Sequence, residues 1–297
     1  MASGSAPGAP PARIGYLGPP GTFSQEALLA SNAEERVEQV PLPTIHETVM
    51  AVQEGLVQRA IVPIENSIEG SVDITLDTLA IEAPAVVIVG EAVLPIRHCL
   101  IVADAALEPG AIEVVISHPQ VIGQCSRFLR TLPGPRLETA SSTAEAVRVV
   151  SSRAGEPWAA LGNRLSAELY GARILREGVE DHPDNQTRFV WLALPEAEEP
   201  SRGSRAAGGW KTSLVFWGVG ARAPGWLVSC LTEFAAREVN LTRIESRPRR
   251  QALGDYMFFA DLEGRADEAR VAGAVAGLRE HCDAVRILGS YPAASVA

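Results

Sequence analysis

Between residues 13 and 164, short apolar runs repeatedly stop at a polar turn from which a helix-like pattern starts. Residues 13–17 run into Gly18-Pro19-Pro20-Gly21-Thr22-Phe23-Ser24, and residues 60–64 into Glu65-Asn66-Ser67-Ile68-Glu69-Gly70. Residues 114–116 lead into Ser117-His118-Pro119-Gln120, and residues 158–161 into Gly162-Asn163-Arg164. Strands that end in polar turns and feed helices predict an α/β sheet with ligand groups at the carboxyl ends of its strands. Helices are expected from about residue 21, where Thr22 and Gln25 have the spacing of a capping box, and over 45–55. A longer apolar stretch spans 86–103, and the last run of this part, 189–194, follows the polar cluster Asp184-Asn185-Gln186-Thr187-Arg188. A hydroxyl, an amide and a guanidinium at the mouth of a buried strand suit an anionic ligand better than they suit packing.

Two stretches break this pattern. Residues 1–12, rich in Ala, Gly, Ser and Pro, are expected to form a disordered tail, and 195–209 an interdomain linker. Beyond the linker the order changes to strand 211–219, helix 225–238, strands 241–246 and 256–261, helix 266–282 and strand 285–288. That is βαββαβ, a ferredoxin-like unit.

The formal net charge of −10 argues against nucleic acid as a partner, so an anionic ligand has to be held by local donors. Lys211 is the only lysine of the sequence. No apolar stretch has the length of a membrane span and no signal-like segment opens the chain, so no membrane partner and a cytoplasmic location are expected. Cys99, Cys125, Cys230 and Cys282 lie far apart without metal-ligand spacing and read as reduced, mostly buried thiols.

Each polar turn has an ordinary reading when taken singly. Gly21-Thr22-Phe23-Ser24 can be a helix cap, Glu65-Asn66-Ser67 a capped turn, His118 a satisfied turn histidine and Thr187 a strand threonine. The chain shows no legible nucleophile with its base, and Gly18-Pro19-Pro20-Gly21 lacks the lysine of a phosphate-binding loop.

In combination the motifs resemble prephenate dehydratase, the family that converts prephenate to phenylpyruvate on the route to phenylalanine. The matching segments are Tyr16 through Ser24, Pro63-Ile64-Glu65-Asn66-Ser67, Ser117-His118-Pro119-Gln120 with Gln124-Cys125, and Asn185-Gln186-Thr187-Arg188-Phe189. Glu245-Ser246-Arg247-Pro248 and Leu253-Gly254-Asp255-Tyr256 resemble the family's ACT regulatory domain. The likeness implies a catalytic part over 13–194, two-lobed like a type II periplasmic binding protein. Lobe one would take about 13–92 plus 187–193, lobe two about 93–186, and the ACT domain 210–297.

On this resemblance Thr187 is the catalytic donor to a departing ring hydroxyl. Thr22, Phe23, Ser24, Glu65, Asn66, Ser67, Ser117, His118, Gln120, Gln124, Arg188 and Phe189 are the expected substrate-binding residues, with Arg188 free to point away along its strand. It further implies L-phenylalanine as allosteric effector near Gly225, Trp226, Leu227, Asn240, Leu241, Glu245, Ser246, Arg247 and Pro248, and a homo-oligomer, dimer or tetramer, built through ACT domains. No cofactor or metal is expected. One departure stands out: the family usually has Gly-Ala-Leu where this chain has Gly225-Trp226-Leu227, and the indole either narrows the effector pocket, alters its preference or faces a partner subunit. The alternatives are a prephenate decarboxylase, disfavoured by the presence of Thr187, an arogenate dehydratase, a non-catalytic amino-acid sensor and, for the last domain alone, a structural dimerisation module. The twelve-residue tail is too short for a fused chorismate mutase.

Overall fold

The computed structural model describes residues 11–32, 37–104, 106–195, 209–218, 220 and 223–294. Residues 1–10 of the expected tail, 196–208 of the expected linker and Val219 lie outside the described residues.

The first lobe is built from β1 (Ala12–Leu17), α1 (Phe23–Ser31), β2 (Val37–Leu42), α2 (Ile45–Gln53), β3 (Arg59–Asn66), the short β4 (Gly70–Ser71), α3 (Asp73–Asp77) and β5 (Val87–Pro95). At Ile96-Arg97-His98 the chain crosses to a second lobe, so the apolar stretch 86–103 is two strands in two sheets rather than one. The second lobe contains β6 (Cys99–Val102), β7 (Val114–Ser117), α4 (Pro119–Gln124), α5 (Ser126–Leu129), β8 (Arg136–Thr139), α6 (Thr143–Ser151), β9 (Trp158–Gly162), α7 (Arg164–Leu169) and β10 (Arg173–Glu177). The chain then returns through β11 (Gln186–Ala193) into the first sheet.

Both sheets have the same plan. In the first the order is β2-β1-β3-β11-β5, and in the second β8-β7-β9-β6-β10. Three parallel strands in order 2-1-3 are followed by one strand arriving from the other lobe, antiparallel to its neighbours. Each lobe therefore contributes a strand to its partner's sheet next to a crossover, the topology of type II periplasmic binding proteins.

The third unit comprises β12 (Trp210–Trp217), α8 (Trp226–Ala235), β13 (Leu241–Pro248), β14 (Tyr256–Glu263), α9 (Ala269–His281) and β15 (Ala284–Pro292). Its antiparallel sheet, ordered β13-β14-β12-β15, is the ferredoxin-like arrangement, with Phe216, Phe234, Leu262 and Leu278 in the core between sheet and helices. The opposite sheet face is not solvated. Val215, Met257, Phe259, Leu288 and Tyr291 share one core with Val62, Leu76, Ile88 and Leu192 of the first lobe. β15 comes so close to β5 that a Cβ at Gly289 would collide with the Ile88 carbonyl, so that position accepts only hydrogen. Arg286 adds hydrogen bonds to the carbonyls of Leu79, Ala83 and Val86, in the segment between α3 and β5.

All four cysteines are free, and three of them are buried. Burial pushes the Cys99 thiol up to about 11 and the Cys125 thiol up to about 12.

Candidate active site

The two lobes enclose a cleft of about 490 Å³, with the crossovers at its floor. Lobe one lines it with Leu17, Thr22, Phe23, Ser24 and Pro63, with Asn66 and the segment Glu69-Gly70-Ser71-Val72, and with Thr187 and Phe189. Lobe two contributes His118, Gln120, Val121 and Gln124, and Ser141-Ser142-Thr143 at the start of α6. Ile96, His98 and Asn185 come from the crossovers. Among the described residues that line it, none is Lys or Arg.

Helices α1, α3, α4 and α6 all start at this cleft. Thr22 caps α1 by accepting from the Gln25 N–H at 3.4 Å, while the Gln25 amide reaches back to Gly21 N–H at 2.6 Å. Ser142 caps α6, accepting from the Glu145 N–H at 3.0 Å, and Pro119 opens α4. The N-terminal ends of α1 and α6 face the cavity from opposite lobes, and their partial positive charge favours an anion there without a formal cation. The lobes also touch directly: Gln124 donates to Glu69 at 3.0 Å, Asn163 to Glu26 at 2.7 Å, and Tyr170 to the Pro20 carbonyl at 2.8 Å. Hydrogen bonds from Gln120 and Gln124 hold the Glu69 carboxyl below its ordinary value.

The centre of the lobe-one wall is Thr187. β11 begins at Gln186, so Thr187 and Arg188 lie within the strand rather than ahead of it, and their side chains take opposite faces. Thr187 and Phe189 turn to the cleft. The Asn66 carboxamide is oriented by the Ile68 and Glu69 N–H groups, which donate to its Oδ1 at 2.9 and 3.0 Å. Its Nδ2 then donates to Asn185 Oδ1 and to Thr187 Oγ1, both at 2.9 Å. Because Thr187 Oγ1 accepts a hydrogen bond from Asn66, the hydroxyl's own proton is left to point elsewhere, and the cleft that Thr187 lines is one such direction.

Several residues expected at the substrate lie elsewhere. Ser117 is wholly buried and donates to the Leu161 carbonyl at 2.8 Å, joining β7 to β9 beneath the cleft. Ser67 braces the turn, accepting from the Gln186 N–H at 2.9 Å and bonding Asn185 Oδ1 at 3.3 Å. Thr22 borders the cleft, but its hydroxyl proton goes to the Leu17 carbonyl at 2.7 Å. Glu65 and Arg188 are on the far face of the sheet. There Arg188 pairs with Asp261 at 2.6 Å, Glu91 at 3.1 Å and Glu65 at 3.1 Å, tying lobe one to the C-terminal domain. Phe23, Ser24, His118, Gln120, Gln124 and Phe189 do border the cleft. Residues missed in the sequence reading are His98, Glu69, Ser71 and the cap at Ser142. Ser142 carried a legible signal, since Ser142-Thr143-Ala144-Glu145 is a capping-box pattern; His98 had none, lying inside an apolar run.

In the C-terminal domain the expected effector residues divide between two faces. Glu245 and Arg247 point into lobe one, where Ser71 donates to Glu245 at 2.8 Å and Arg247 pairs with Asp73 and Asp77. Ser246 and Pro248 are exposed on the other face of β13, at the sheet edge, and Asn240 and Leu241 open that strand. Gly225, with φ +85°, caps α8 ahead of Trp226 and Leu227. The Trp226 indole stays within its own domain, tilted against Phe216 and Phe258 with its N–H donated to the His281 carbonyl at 2.7 Å.

A cleft between two lobes of this topology, walled by hydroxyls, amides and helix N-termini and backed by a docked ferredoxin-like domain, defines a two-lobed α/β enzyme for a small anionic substrate. The family model described as prephenate dehydratase matches residues 14–197, and the chain belongs to that family. It is 40% identical over 280 residues to the prephenate dehydratase of Amycolatopsis methanolica, covering 94% of this chain and 88% of that one. Among solved structures it is similar to the Arthrobacter aurescens prephenate dehydratase in complex with L-Phe, with TM-score 0.83, 35% identity, and 94% and 89% of the two chains covered. It also matches a protein described as GqqA, a quorum-quenching acylase, with TM-score 0.80, 28% identity, and 95% and 98% covered. Fold likeness alone does not select a reaction, and the cleft has to do so.

Proposed function

We propose that this chain catalyses the decarboxylative dehydration of prephenate to phenylpyruvate, with Thr187 as the donor to the departing hydroxyl. In this reaction the C–CO2 bond breaks and its electron pair enters the ring. The C–O bond to the ring hydroxyl breaks in turn, and the oxygen takes a proton and leaves as water. Aromatisation supplies the driving force, so the protein has mainly to orient the substrate and stabilise charge on the leaving oxygen. The observation that carries the reading is the Asn66–Thr187 hydrogen bond, in which the threonine oxygen accepts and its own proton stays available to the cleft that Thr187 lines. The helix N-termini at Thr22 and Ser142, with the side chains of Gln120 and His118, suit two carboxylates without the desolvation cost of a buried Lys or Arg. Phe23, Phe189, Leu17 and Val121 offer the apolar wall a ring needs.

A second reading has its own observation. The ionised Glu69 carboxylate on the cleft wall would pair with the ammonium that arogenate carries where prephenate has a keto oxygen. Incubating the pure protein with each substrate separates them: phenylpyruvate from prephenate supports the first reading, and phenylalanine from arogenate, with prephenate untouched, replaces it.

For the C-terminal unit we infer an ACT domain that binds L-phenylalanine between copies of this chain and lowers activity. β13 is an unpaired sheet edge whose outward face exposes Ile244 (44%), and α8 exposes Val228 (67%), apolar surface suited to a second copy. Assembly as a dimer or tetramer, location in the cytoplasm and the residue boundaries of the domains belong to the same reading. Sedimentation with and without L-phenylalanine tests the assembly.

A further inference from the structure

His98 stands on the first crossover, at the floor of the cleft it borders, and is 1% exposed. Its ring meets Phe23 edge-on, with centroids 5.4 Å apart and planes at 89°. Its backbone N–H donates to Glu180 Oε2 at 2.9 Å, yet neither ring nitrogen has a hydrogen-bond partner in the protein. Glu180, from the return crossover, favours a charged ring, and Gln124, on α4, adds a smaller pull in the same direction. Burial outweighs both and pushes the imidazole down to about 4, so the ring is neutral at physiological pH. The other ionisable groups on the cleft are Glu69 and His118, and Arg97 is turned to Glu180.

A buried imidazole with both nitrogens unbonded is a costly way to fill space, and Leu would occupy it without that cost. Both ring nitrogens are buried, and the cleft is the cavity that the residue borders. We propose that His98 is a substrate-contacting residue, a neutral imidazole that donates a hydrogen bond from the cleft floor to a carboxylate or keto oxygen of the cyclohexadienyl substrate. The inference rests on the cleft being the substrate site. A neutral donor there suits the rest of the wall, since it binds an oxygen without placing a cation where the substrate's negative charge has to disperse as CO2 leaves. The second ring nitrogen accepts, so the ring can also hold a substrate hydroxyl or a bound water.

The test compares His98→Leu and His98→Asn with the wild-type full-length chain, measuring melting temperature without substrate and kcat/KM for prephenate from pH 5 to 9. Replacing an unpaired buried polar group by an apolar one should leave the melting temperature of His98→Leu unchanged or raised, while kcat/KM falls at least tenfold. His98→Asn, which keeps a donor, should recover part of that loss. Wild-type kcat/KM should show no ionisation of His98 near its ordinary value of about 6.5. A folded His98→Leu protein with wild-type kcat/KM overturns the proposal, as does a His98→Leu protein whose only defect is a lower melting temperature. A wild-type chain that leaves prephenate untouched sinks the functional reading instead, an outcome distinct from equal activity in both proteins.

Discussion

The Ser71 hydroxyl, on the wall of the cleft, donates to Glu245 on the edge strand of the C-terminal domain at 2.8 Å, and Arg243 of the same strand donates to that hydroxyl at 2.9 Å. Ser71 adjoins Gly70, which pairs with Asn66, the residue that orients Thr187. The C-terminal domain thus reaches the proposed catalytic hydroxyl through one short strand. Whatever moves β13 bears on β4, and β4 bears on the Asn66 turn.

Glu245→Gln keeps the side chain's shape and weakens its hold on Ser71. L-phenylalanine should still bind, with a calorimetric dissociation constant within roughly twofold of wild type. The concentration needed to inhibit should rise about fivefold or more, the low end of typical coupling between sites. Inhibition unchanged in the variant would show that the effector signal bypasses this junction.

Thr187→Val should lower kcat by about 10²- to 10³-fold with little change in KM, the usual cost of losing one aimed donor. Asn66→Asp is the more discriminating variant. Aspartate still accepts from the Ile68 and Glu69 N–H groups, but it presents an acceptor to Thr187 and draws the hydroxyl proton away from the cleft. A kcat reduced by about tenfold or more in steady-state assays is expected, since hydrogen-bond direction is what changes. A kcat equal to wild type would refute the orienting role.

Acid should loosen the domain junction. Burial alone would raise the Asp77 carboxyl, but Arg247 and then Arg250 overcome it and hold the group below its ordinary value. A depressed folded pKa means its stabilisation is complete above the unfolded value of about 4 and is lost as pH falls through the folded one. Asp261, held low against burial by Arg188 and Arg243, acts in the same direction. Calorimetry should show the junction weakening only below pH about 4. Asp77→Asn should flatten that acid dependence and cost about 3 kcal/mol at neutral pH, because it leaves two guanidinium groups short of their partner.

Trp226 fills a corner of the C-terminal domain beside Phe216 and Phe258 rather than standing free for a partner. Trp226→Ala should cost about 3 kcal/mol in that domain's unfolding, the low end for truncating a packed aromatic. Urea denaturation followed by far-UV circular dichroism measures it. A variant as stable as wild type would mean that the indole's packing against its neighbours contributes nothing.

Much of the fold was legible because it is encoded locally. Apolar runs ending in Gly18-Pro19-Pro20-Gly21, Glu65-Asn66-Ser67 and Ser117-His118-Pro119 mark strands and their carboxyl-end turns, and the last six elements follow the expected order. Missed elements were those with weak periodicity, such as β2 and β8, and the break at Ile96-Arg97-His98, which is as apolar as its flanks save for two residues. Phe23, Gln124 and Thr187 were placed at the site by the likeness to the family, and they border the cleft. The likeness placed Ser117, Glu65 and Arg188 there as well, and they face elsewhere, because pattern alone does not say which neighbour each side of a strand will meet.

By itself the sequence determined the elements, the polar turns and the likeness to prephenate dehydratase, since propensity, capping and motif spacing are properties of neighbouring residues. Only the tertiary structure decided what those residues do. The strand alternation at Gln186-Thr187-Arg188 sends the hydroxyl to the cleft and the guanidinium to Asp261. The docked sheet converts Glu245 and Arg247 from presumed effector ligands into contacts with the lobe that carries Thr187. Facing and pairing depend on residues more than 70 positions apart, here Arg188 with Asp261 and Ser71 with Glu245, and no local pattern carries that information.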